Sequence, residues 1–102
     1  MSAVDLKARL DRGEALTLVD VREPQESDIN TIPGSIIIPA GELERRAASL
    51  DRSRDVVLYC KAGVRSAAAV LLLKAAGFPR VAHLKGGILG WIDEVDPEQP
   101  TY

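Results

Sequence analysis

The stretch Val56–Phe78, "VVLYCKAGVRSAAAVLLLKAAGF", decides how this chain is read. It opens as an apolar, β-rich run and closes as an Ala- and Leu-rich segment ended by Gly77, so it predicts a strand (DVVLYC) and then a mostly buried helix over Ser66–Ala76. Between them lies a short loop with one glycine and two cations, and at its head stands the only cysteine, Cys60.

Working outward, the same alternation recurs. "VDLKARLDRGE" reads as a short amphipathic helix ending at Gly13, and "ALTLVDVRE" as a buried strand of about Thr17–Val21. Ile36–Ile38, entered through a Pro33-Gly34 turn, reads as a short strand, and Glu42–Leu50 as a helix. "RVAHLKGG" is a strand followed by a glycine pair, "ILGWIDEV" a last helix, and the tail "DPEQPTY" is expected outside the core. Alternating strands and helices predict an α/β fold with a largely parallel sheet, organised as one domain over residues 1–102.

Composition narrows the functions. A net charge of -2 gives no global attraction to nucleic acid. A single cysteine forms no intrachain disulfide, and one histidine with one cysteine supplies no metal-ligand spacing. No apolar stretch approaches the ~18 residues of a membrane span, so a cytoplasmic protein without membrane or nucleic-acid partners is expected.

In a parallel α/β sheet, sites lie beyond the carboxyl ends of the strands, which is where Cys60 falls. Lys61, Ala62, Gly63, Val64 and Arg65 then lead to Ser66, read as the N-cap of the following helix. A tight loop entering a helix turns its backbone N–H groups inward and makes an anion nest, with Gly63 permitting the curl. A thiol there is stabilised as thiolate below its usual pKa of about 8.5, and Lys61 and Arg65 are expected to assist in holding an anionic group on the sulfur. The bland alternative is that Cys60 is a small buried hydrophobe.

Other residues are weighed the same way. Asp20 and Arg22 fall near the same sheet edge, Asp20 being read as a partner that orients Arg65 or Arg22, and Glu23 as a structural ion pair or solvated turn. His83 is read as packing or surface rather than as the base of a Cys–His dyad. Trp91 is read as a core anchor.

The loop "CKAGVRSA" resembles the active-site loop of the rhodanese-like family, commonly Cys-Arg-x-Gly-x-Arg-Ser. Leu18–Glu26 resembles that family's Asp-Val-Arg segment, Ile32–Pro39 its Ile-Pro-Gly turn and strand, and Gly77–Trp91 its closing strand, glycine pair and helix. The resemblance implies a rhodanese fold, with helices on both faces of a mostly parallel sheet. It implies a sulfurtransferase in which Cys60 carries a persulfide, within the loop Lys61–Ser66 and without a cofactor. The implied partners are a small sulfur donor, thiosulfate or a persulfide, and a sulfur-carrier protein or cysteine desulfurase. "DINTI", "YCKAGVRSA" and the final "TY" are similar to the rhodanese domain joined to adenylyltransferases that activate ubiquitin-like sulfur carriers.

Two alternatives remain open at this stage: a non-catalytic binding module, and a Cys-dependent phosphatase or arsenate reductase. The latter generally has five residues between Cys and Arg, whereas four separate Cys60 from Arg65. The family's common Arg is Lys61 here, which loses a planar fork for oxyanions.

Overall fold

The computed structural model describes residues 1–102. Its elements run α1 (Ala3–Asp11), β1 (Leu16–Asp20), α2 (Pro24–Ser27), β2 (Ile36–Ile37), α3 (Ala40–Arg46), a 3-10 turn (Ala47–Ser49), β3 (Asp55–Tyr59), α4 (Val64–Ala75), β4 (Val81–His83) and α5 (Gly87–Glu94). The strands form one parallel sheet in the order β2-β1-β3-β4. The alternation read from the sequence is therefore the architecture. No helix is long and apolar enough to cross a membrane.

Side chains of a strand alternate between its faces, and both faces here are covered. Val19, Val56, Leu58 and Cys60 join Leu43, Ala69, Leu73 and Phe78 in one core cluster, beneath α3 and α4. Leu18, Val57 and Tyr59 join Leu6, Leu84, Ile88 and Trp91 in the other, beneath α1 and α5. The period of two along "VVLYC" thus sends the Cys60 side chain to the α4 face. Trp91 is buried, in agreement with its reading as an anchor.

One boundary differs instructively from the sequence reading. Helix α4 begins at Val64, with Gly63 as its N-cap at φ 110°, so Ser66 lies inside the first turn and is not the cap. Glycine wins that position because a left-handed cap is open to it and strained for serine. The tail lies outside the core, as read, yet it is held to the domain. Gln99 exchanges hydrogen bonds with the Thr31 backbone at 2.9 and 2.8 Å, and Asn30 Nδ2 donates to Pro100 O at 2.7 Å. Residues 99–102 are a strap that ends against the site, where the Tyr102 hydroxyl meets Glu26 and Arg22.

Candidate functional site

Strand β3 delivers Cys60 to the carboxyl end of the sheet, and the loop to α4 curls over it. Gly63 N donates to Cys60 Sγ at 3.1 Å and Ser66 N at 3.4 Å, while the Ser66 hydroxyl lies 3.5 Å away. The residue is 1% exposed, so the sulfur fills the concavity of its loop. Burial works against a charged sulfur, but the Ser66 hydroxyl and the N–H groups of Ser66, Gly63 and Arg65 outweigh it. The Cys60 pKa falls below its ordinary value. With one cysteine in the chain, its titration is directly readable. We expect the thiolate ultraviolet absorbance to rise with an inflection below the roughly 8.5 of an ordinary thiol. An inflection at or above that value would mean that burial dominates.

The outer wall of the loop is built by α5. Ile88 N donates to Cys60 O at 2.8 Å and Leu89 N to Lys61 O at 3.2 Å, so the first turn of α5 satisfies the carbonyls of the cysteine loop. This approach leaves no room for a side chain at Gly87, which sits at φ 59°. A Cβ there would lie within 2.5 Å of Cys60 O and closer still to Lys61 O. Gly87→Ala is expected to destabilise the fold by about 2–4 kcal/mol, combining left-handed strain with overpacking. A denaturant titration measures it, and a loss below about 1 kcal/mol would show that the loop yields freely.

The two loop cations each engage another partner. The Arg65 guanidinium forms a two-point pair with Glu26, at 2.7 and 2.9 Å. Lys61 Nζ lies 4.3 Å from the centre of the Tyr102 ring, a cation–π contact. Of the two partners considered for Asp20, it takes Arg22: Nε and Nη2 donate to its two oxygens at 2.9 and 2.8 Å, and both side chains are fully buried. Arg22 Nη1 also donates to Asn30 Oδ1 at 2.7 Å and to the Tyr102 hydroxyl at 3.0 Å. Tyr102 in turn donates to Glu26 Oε2 at 2.6 Å. Glu23 caps α2 in a reciprocal box with Glu26, which agrees with its reading as a turn residue.

His83 does not bond to the thiol. Its Nδ1 lies 3.4 Å from Ser66 Oγ, and burial, the N-terminal ammonium and Lys85 all lower its pKa. Two members of the cluster, Glu26 and Tyr102, escaped the sequence reading. Glu26 had a usable signal, since Glu23-Pro-Gln-Glu26 has the spacing of a capping box and turns Glu26 back toward the sheet edge. Tyr102 had a weaker one, an aromatic closing a proline-rich tail.

Comparison with known proteins follows the same line. The rhodanese-like domain family matches residues 2–94. Over 100 residues the chain is 43% identical to the "Probable adenylyltransferase/sulfurtransferase MoeZ" of Mycobacterium tuberculosis, covering 96% of this chain and 26% of that protein. The chain thus spans about a quarter of that relative's length. A sulfurtransferase of Allochromatium vinosum is 38% identical over 86 residues, covering 84% of this chain and 80% of its own. Among solved structures, the Alr3790 protein from Anabaena superposes with a TM-score of 0.86 at 38% identity, covering 100% of this chain and 81% of that one. The human single-domain sulfurtransferase TSTD1 gives 0.82 at 26% identity, covering 92% and 95%. A family match that takes in the sheet, the cysteine loop and the helix that walls it establishes that the chain belongs to the rhodanese-like domain family.

Proposed function

We propose that the protein is a sulfurtransferase in which Cys60 is the nucleophile and sulfur carrier. The observation that carries this reading is the convergence of backbone N–H groups on Cys60 Sγ, which favours thiolate and would equally solvate a terminal sulfur anion. In the loading step the Cys60 thiolate attacks the outer sulfur of a donor such as thiosulfate or a protein persulfide. The new S–S bond forms as the donor's own bond breaks, and sulfite or thiolate departs with the electron pair. In the second step a thiophilic acceptor attacks the outer sulfur, and Cys60 leaves as thiolate. Sulfur arrives and departs without net oxidation, so no cofactor is needed. The chain has no second cysteine to resolve the persulfide, so the acceptor is external. Cyanide or a thiol would serve in assay, and an activated sulfur-carrier protein is the proposed natural partner.

In this reading Ala62 and Val64 supply loop backbone and Gly63 and Ser66 the bonds to sulfur. Asp20 and Arg22 brace the sheet edge beneath. Because Cys60 is buried, the donor's outer sulfur would reach it through a small outward movement of the loop. Four residues between Cys60 and Arg65 make a nest suited to one sulfur rather than a tetrahedral oxyanion. The test is intact-protein mass spectrometry after incubation with thiosulfate. We expect a gain of one sulfur atom, located on Cys60 and removed by cyanide; a thiol that stays unmodified with every sulfane donor would overturn the assignment.

A further inference from the structure

The charge around the cysteine loop says more than that a sulfur donor binds. Two cations flank it in the sequence, and neither is free in the fold. Arg65 spends both arms of its guanidinium on Glu26, and its charge is held chiefly by that carboxylate and only then by the Cys60 sulfur. Lys61 is turned onto the Tyr102 ring. The third nearby cation, Arg22, is buried and neutralised by Asp20.

Glu26 is held in place from several sides. Arg65 takes both of its oxygens, Tyr102 donates to Oε2 at 2.6 Å, and Oε1 accepts from Glu23 N at 3.1 Å. Arg65 first, then Tyr102 and the Glu23 N–H, depress its pKa to about 2 against the opposing effect of burial. The carboxylate is therefore ionised at neutral pH. Its side chain is 18% exposed, so its charge is only partly screened by water.

We infer that Glu26 is a specificity-determining residue: by neutralising Arg65 beside the cysteine loop, it disfavours dianionic sulfur donors and selects donors with a single negative charge, such as the persulfide of a thiol. The inference rests on the sulfur-transfer reading of Cys60 and narrows its donor class. A dianion such as thiosulfate must approach a thiolate where Arg65 is balanced by Glu26 and the Lys61 ammonium is drawn onto the Tyr102 ring, leaving N–H dipoles at the sulfur to receive it. A singly charged donor suffers half of that repulsion, because Coulomb energy is linear in its charge.

The test uses two sulfane donors that differ by one charge, thiosulfate and methanethiosulfonate. With thiolate Cys60, methanethiosulfonate gives the same Cys60 persulfide and releases methanesulfinate instead of sulfite. In the unaltered protein, the kcat/KM ratio of methanethiosulfonate to thiosulfate should exceed, by about tenfold or more, the rate ratio for a small free thiolate in solution. That solution ratio removes the difference in leaving groups. In Glu26→Gln, kcat/KM should rise about tenfold for thiosulfate but about threefold for methanethiosulfonate, as linear dependence on charge requires. Tyr102→Phe removes one hydrogen bond to Glu26 but leaves its charge and its two-point pair with Arg65, so there the ratio of the two donors should stay that of the unaltered protein.

Equal gains for both donors in Glu26→Gln, or a loss with both, would overturn the inference. So would a ratio in the unaltered protein no larger than that of the free thiolate, a measurement that does not depend on any variant folding. Failure of both donors to form a persulfide would instead overturn the sulfurtransferase reading itself.

Discussion

Cys60→Ser is expected to lower sulfur transfer from thiosulfate to cyanide by on the order of a thousandfold or more, while the fold survives. A serine hydroxyl has no accessible anionic form in this pH range, and its oxygen forms no stable equivalent of a persulfide. The N–H groups of Gly63 and Ser66 would still find an acceptor, and the Ser66 hydroxyl still a neighbour, so the loop has no reason to open. The sulfur does belong to the core cluster with Val19, Leu58 and Leu73, and replacing it with a smaller polar atom loses some packing. A destabilisation of about 1 kcal/mol follows, which lowers the melting temperature by roughly 4–8 °C. Steady-state assay and thermal melting separate the two effects. Activity comparable with that of the parent, in a sample verified by mass, would remove Cys60 from the mechanism.

The cysteine loop was legible in the sequence because its signals are local. A β-rich run, one thiol, a glycine and an Ala/Leu helix within 23 residues define strand, turn and helix before any tertiary contact is considered. The sheet followed from counting such units, and the two-residue period of "VVLYC" even determined which face the thiol takes. What stayed hidden was long-range and electrostatic. Nothing near Arg65 in sequence says that its partner is Glu26, which is 39 positions away. Asp20 lies closer to the sheet edge in any sequence-based placement, yet β1 and the turn after it make Arg22 its nearest cation. The attachment of the tail was hidden for a related reason. Its prolines predict a segment without helix or strand, which it is, but backbone groups outside regular structure can be satisfied by side chains such as Gln99 and Asn30. The N-cap was misjudged because Ser66 is a good capping residue, while Gly63 answers a backbone demand that only the folded loop reveals.

Asp20→Ala should be the most destabilising single change at the edge of this site. Arg22 is fully buried, and Asp20 supplies the only carboxylate in direct contact with its guanidinium, through two parallel hydrogen bonds. Asn30, the Tyr102 hydroxyl and the Glu26 carbonyl would still accept from it, but those are neutral groups and leave its charge uncompensated. Removing one member of a buried pair typically costs about 3–5 kcal/mol. That is a large part of the roughly 5–15 kcal/mol that holds a domain folded. The Ser27 hydroxyl, which donates to Asp20 Oδ2 at 2.6 Å, would lose its acceptor as well. Charge and shape are separated by the double variant Asp20→Ala, Arg22→Met, which removes both ions and leaves an unbranched apolar side chain along the Tyr59 and Tyr102 rings. Replacing both members of a buried pair by apolar groups is often neutral or stabilising, so the double variant should recover most of the lost stability. Urea titrations of the parent, single and double variants give the three stabilities. If Asp20→Ala loses less than about 1 kcal/mol, or if the double variant is no more stable than the single one, the cost lies in packing rather than in an orphaned charge, and the electrostatic account of this sheet edge fails.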